Sequence, residues 1–107
     1  MPHDFAAQRD ETFAAFAEMM VAGDLPDIAD LDFFFLSDRE GADPQGLSRA
    51  LAALDFQCHW APEEGELIAT LPDQPLSAAA IWIAEDLSTR IALDHGFRPD
   101  GWGLEQG

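Results

Sequence analysis

The sequence predicts an α+β domain: an N-terminal helix, then strand, helix, strand, strand, helix and strand. Three segments carry apolar residues at helical spacing, three short runs have strand character, and Gly or Pro marks nearly every junction. Hydrophobic residues make up 48% of the 107, with eight Phe and three Trp, which supplies one modest core and argues against disorder. No linker or internal repeat divides the chain. A single domain over 1–107 is expected, with an N-terminal helix at 4–23 and a core over 31–105.

From Asp4 to Ala22, the residues Phe5, Phe13, Phe16, Ala17 and Met20 share one arc of a helical wheel, while Arg9, Asp10, Glu11 and Glu18 lie off it. Gly23 is expected to end this helix in the left-handed conformation, and Pro26 prevents its resumption. Leu31 to Ser37 holds Phe33, Phe34, Phe35 and Leu36 in a row, as in a central strand buried on both faces. Asp43 and Pro44 supply an N-cap and a first-turn proline, after which Leu47, Ala50, Leu51 and Leu54 carry a second helix to Leu54.

Phe56, Cys58 and Trp60 alternate with Gln57, His59 and Ala61, which gives a strand with one buried face. Pro62-Glu63-Glu64-Gly65 turns it into a hairpin partner, Glu66 to Leu71, closed by Pro72 and Pro75. Ser77 caps a third helix with Ala80, Ile83, Ala84, Leu87 and Ile91 as its core stripe, ending at His95 with Gly96 beyond. Phe97 to Glu105 suits a short last strand or an aromatic plug around Trp102. Leaving the first helix aside, the order is the split βαβ pattern of ferredoxin-like folds, with two helices on one sheet face. Because Phe33 to Leu36 point both ways, the N-terminal helix is expected to cover the other face, with a homodimer as the alternative to a monomer.

Five Arg and no Lys face 21 acidic residues, a formal charge of −16. Such a surface repels phosphate backbones and anionic membrane, so neither nucleic acid nor membrane is an expected partner. It attracts basic protein. The single Cys58 cannot form an internal disulfide and suits a reducing compartment. No run approaches the roughly 20 apolar residues of a membrane span, so a cytoplasmic location is expected.

Little catalytic chemistry is legible. Asp24, Asp27, Asp30 and Asp32 lack the alternate oxygens, glycine and terminal Glu of an EF-hand, and read as a solvated connector. Cys58 and His59 point to opposite strand faces, His95 suits a helix-end cap, and His3 lies in a terminus expected to fray. The pairs Glu63-Glu64 and Glu85-Asp86 fall on a turn and on an exposed helix face, with no pocket to separate their titrations. No phosphate loop, zinc pattern or nucleophile elbow occurs, so no catalytic residue, metal or cofactor is expected. The candidate protein-binding acids stand where bases are scarce: Asp24, Asp27, Asp30, Asp38, Glu40 and Asp43, with only Arg39 among them, then Glu63, Glu64 and Glu66, with no base among them. Alternatives are a small-molecule module or minor enzyme lined by Trp60, Trp82 or Trp102, and an adaptor that imitates nucleic acid.

The most specific words stand far apart: Gln8-Arg9-Asp10-Glu11-Thr12 in the first helix, which stops at Gly23-Asp24, and Gly96-Phe97 leading to Asp100-Gly101-Trp102-Gly103. Together they resemble the regulator of ribonuclease activity B family, protein inhibitors of the endoribonuclease RNase E, over nearly the whole chain. The resemblance implies a cytosolic, non-catalytic ferredoxin-like protein. It also implies docking on the arginine-rich, non-catalytic scaffold region of RNase E, which alters RNA degradation. Asp100, Gly101, Trp102 and Gly103 are expected to be structural, the glycines permitting tight backbone geometry and Trp102 acting as an apolar plug. Better-known members of that family continue past this motif into a strongly acidic tail that this sequence does not carry.

Overall fold

The computed structural model describes residues 3–105; residues 1, 2, 106 and 107 of the expected domain lie outside them. Helix α1 (Phe5–Ala22) precedes β1 (Ile28–Ser37), α2 (Pro44–Ala52), β2 (Gln57–Ala61), β3 (Glu66–Pro75), α3 (Ala78–Asp94) and β4 (Phe97–Glu105). The four strands form one antiparallel sheet in the order β2-β3-β1-β4, so the molecule is α+β as expected. Among the described residues no helix is long and apolar enough to cross a membrane.

The helix starts follow their side chains. Asp4, Asp43 and Ser77 accept from the backbone N–H of Ala7, Gly46 and Ala80 at 3.0, 2.9 and 3.0 Å, satisfying donors that the helix leaves open. Gly96 closes the other end of α3 at φ 84°, the left-handed position a glycine adopts freely. Gly23 does not: its φ of 174° is extended, so the chain leaves α1 straight into the connector. α2 stops at Ala52 rather than Leu54, which is exposed beside Asp55 at φ 73°.

Two strands outrun their expected limits for one reason. β1 begins at Ile28, and β3 continues through Pro72 to Pro75, because those segments pair with each other. β2 ends its pairing with β3 at Thr70, so beyond that point β3 is an edge that tolerates prolines lacking an N–H. The chain from Phe97 to Glu105 is a strand, not a loose plug. It is also an edge, and carries Pro99.

The core lies between α2, α3 and one sheet face. Leu31, Phe33, Phe35, Leu67, Ala69 and Phe97 from the strands meet Leu47, Leu51, Ile81, Ala84 and Ala92 from the helices. On α3 the buried stripe is rotated from the expected one: Ile81, Ala84, Glu85, Ser88, Thr89 and Ala92 turn inward, while Ile83 and Leu87 are exposed. α1 is rotated too. Thr12 and Phe16 are buried, Gln8 is half-buried, and Ala17 and Met20 face solvent.

Both rotations have one cause: α1 packs on α3, and polar side chains from the two helices meet at that seam. α1 therefore does not cover the second sheet face. On that face Phe34, Leu36 and Ile68 are half-buried, flanked by exposed Gln57, His59 and Arg98.

Candidate functional site

The seam between α1 and α3 opens onto a groove of about 650 Å³ whose far wall is β4. Gln8, Glu11 and Thr12 line one side, Pro99 to Gly103 the other, and Glu85 reaches it from α3. The two unusual words of the sequence are thus brought into one concavity. A register shift in β1 against β4, between Phe33 and Phe35, sets Asp100 and Gly101 in a bulge opposite Phe34. Gly101 takes φ 106° there, a conformation other residues adopt only under strain. Trp102 follows it, half-buried against the core and open to the groove.

A hydrogen-bonded chain crosses the floor. The Thr12 hydroxyl donates to Glu85 Oε1, while Gln8 Nε2 donates to Glu85 Oε2 at 3.1 Å and to Thr89 Oγ1 at 3.0 Å. His3 Nε2 lies 2.6 Å from Gln8 Oε1, and its ring meets Phe5 edge-on, so His3 is tied to the network rather than frayed. Glu85 is 4% exposed, which corrects its expected place on an exposed helix face.

Burial pushes the Glu85 carboxyl above its ordinary value, against the pull of the Thr12 and Gln8 hydrogen bonds; Glu11 adds to the rise and His3 opposes it. The folded state therefore holds this proton more tightly than the unfolded chain. The stability it contributes is present below 4.5 and is lost as pH rises through the raised folded value. Glu85→Gln, which cannot ionise, is expected to lose less stability than the wild type across that window. Urea melts on either side of it check this difference, which cancels the repulsion common to both proteins.

The nine acids expected to bind protein fall into two groups. Asp38, Glu40, Asp43, Glu63, Glu64 and Glu66 gather at one sheet end, where Ser37 N–H bonds Gly65 at 2.8 Å and Asp38 N–H bonds Gly96 at 2.9 Å. Asp24, Asp27 and Asp30 lie at the opposite end, roughly 30 Å away along the ten-residue β1. Several are engaged. Asp43 caps α2, Asp30 accepts the Asp73 N–H at 3.0 Å, and Arg98 stands 3.4 Å from Asp38, adding a base to that end. None of the nine lines the groove, although Asp24 and Asp27 line a smaller hollow of about 330 Å³ under the α1–β1 connector.

No family model matches the chain, and no curated protein matches it. The remaining candidates are placed by geometry. Cys58 packs toward the core, where burial pushes its thiol up against a hydrogen bond with Ser48, while His59 is exposed on the other face of β2. His95 Nδ1 lies 2.8 Å from the Ile91 carbonyl oxygen, at the end of α3. Asp32 is not a solvated connector residue: it is buried in β1 and accepts from the Thr70 hydroxyl at 2.5 Å. Among the described residues no three His, Cys, Asp or Glu side chains converge to hold a metal ion. Of the tryptophans, Trp102 lines the groove, Trp60 lines a shallow hollow of about 280 Å³ beside α2, and Trp82 is half-buried on α3.

Sequence alone places Glu85 on an exposed helix face and His3 in a fraying terminus, and gives Thr12 no part in a site. The available signal was Glu85, Ser88 and Thr89 lying between Ile81 and Ala92 on one turn-spaced face.

Proposed function

We propose that this protein is a non-catalytic, acidic, cytosolic regulator that docks on a basic, arginine-rich segment of an RNA-processing protein. The scaffold region of RNase E is the partner implied by the resemblance to the regulator of ribonuclease activity B family. One observation carries the reading: a charge of −16 held on a folded domain with five Arg and no Lys. The ion pairs among the described residues, Arg9–Asp10, Arg90–Asp86 and Arg98–Asp38, involve only three of those acids and are largely exposed. The rest of the field is left for a partner.

A ferredoxin-like core is supported by the strand order, which read from its other edge is β4-β1-β3-β2, and by α2 and α3 linking strands across the sheet. The meeting of both resemblance words in one groove supports a shared role for them. Such a protein changes the activity of an RNA-processing enzyme by occupying its basic segment, with no chemistry of its own. Immobilised protein is expected to retain RNase E or other basic RNA-processing proteins at low salt and to release them as ionic strength rises. Failure to retain any of them, or retention indifferent to salt, overturns this function.

A further inference from the structure

We propose that the groove between α1 and β4 is the docking site for an arginine side chain of an extended basic segment, its guanidinium lying against Trp102 between Glu11 and Asp100. This rests on the function proposed above and names the place and chemistry of recognition. At about 650 Å³ the groove is larger than the hollows of about 330 and 280 Å³ elsewhere. It lies within the range of about 300–1,000 Å³ found for ligand sites.

Its lining is one-sided in charge. Asp4, Glu11, Glu85 and Asp100 contribute carboxyls, and among the described residues no arginine lines it and His3 is its one basic side chain. The arginines on the flanking helices are engaged elsewhere: Arg9 lies 4.3 Å over the Phe13 ring and Arg90 lies 4.2 Å over the Phe5 ring. Each acid has a distinct place. Asp4 is occupied capping α1, and Glu85 already accepts from Thr12 and Gln8. Glu11 and Asp100 are exposed on opposite walls and free of such duties among the described residues, so they are the pair for an incoming cation.

The second element is aromatic. Trp102 is half-buried, packed against the core on one side and lining the groove on the other. An indole between two carboxylates favours arginine over lysine, because a planar guanidinium stacks on the ring and offers several donors to the acids at once.

A labelled peptide of alternating arginine and glycine, titrated by fluorescence anisotropy at low salt, tests the site. Joint substitution of Glu11→Gln and Asp100→Asn is expected to weaken binding about tenfold. Glu63→Gln with Glu64→Gln, the same charge change at the sheet end, shifts it less than about twofold. All four positions are exposed, so these variants keep the fold. The indole N–H resonance of Trp102 moves on titration, and a lysine–glycine peptide of equal length binds several-fold more weakly. Equal losses in the two double variants, or equal affinity for the two peptides, overturns the groove while leaving salt-dependent retention of basic proteins intact. No binding of the arginine peptide at all, together with no retention of basic proteins, removes both.

Discussion

Replacing Phe33 by alanine is expected to cost about 3–5 kcal/mol of folding stability, much of what a domain of this size has. Phe33 is 1% exposed, stands between Ala69 on β3 and Trp102 on β4, and meets Phe56 edge-on at 6.1 Å between ring centroids. Neither backbone neighbour can move to fill the space, because β1 is paired on both sides. The adjacent Phe34→Ala is the control. Its ring lies half-buried on the face that no helix covers, so the loss is expected to be about 1 kcal/mol. Chemical denaturation of the two variants measures the contrast, and equal losses would mean that the second face is as closely packed as the first.

Gly96→Ala is expected to cost roughly 2–4 kcal/mol, the sum of backbone strain and overpacking. At φ 84° a side chain is disfavoured in any surroundings, and here an added Cβ would meet Ala42 Cα at 2.9 Å and Arg39 Nε at 2.8 Å. The arginine can swing away, but the Ala42 backbone is held in place. Asp38 N–H bonds Gly96 and Asp43 N–H bonds His95, both at 2.9 Å, fastening the end of α3 to the loop that starts α2. Gly41 separates the two causes. Its φ is 87° but nothing lies within 4 Å, so Gly41→Ala carries only the conformational cost, about 1 kcal/mol. Thermal melts of both variants give the difference.

What was legible in the chain was local. Asp43-Pro44, Ser77 and Gly96 announce helix limits through chemistry contained in a few residues, and all three act as read. The alternation of Phe56, Cys58 and Trp60 likewise placed one face of β2 on the core. What failed depended on a distant partner. The stripes of α1 and α3 were read by apolar content, yet Gln8, Thr12, Glu85 and Thr89 turn inward because each helix supplies the other's hydrogen bonds. No helical wheel drawn for one helix contains that information. β3 runs through Pro72 and Pro75 because β2 has already ended beside it, a fact of pairing and not of composition. The site was half legible: Asp100 to Gly103 and Gln8 to Thr12 were conspicuous as words, and only the fold makes them neighbours.

The groove joins a wall from the beginning of the described chain to one from its end, and the Gln8–Thr89 bond at its floor closes a separation of 81 residues. A ligand seated there acts as a clasp on the whole topology. The unfolded chain holds the two walls apart, so every increment of binding is transferred to global stability by mass action. Docking and resistance to unfolding are then two readings of one equilibrium, and the domain is most durable while it is engaged.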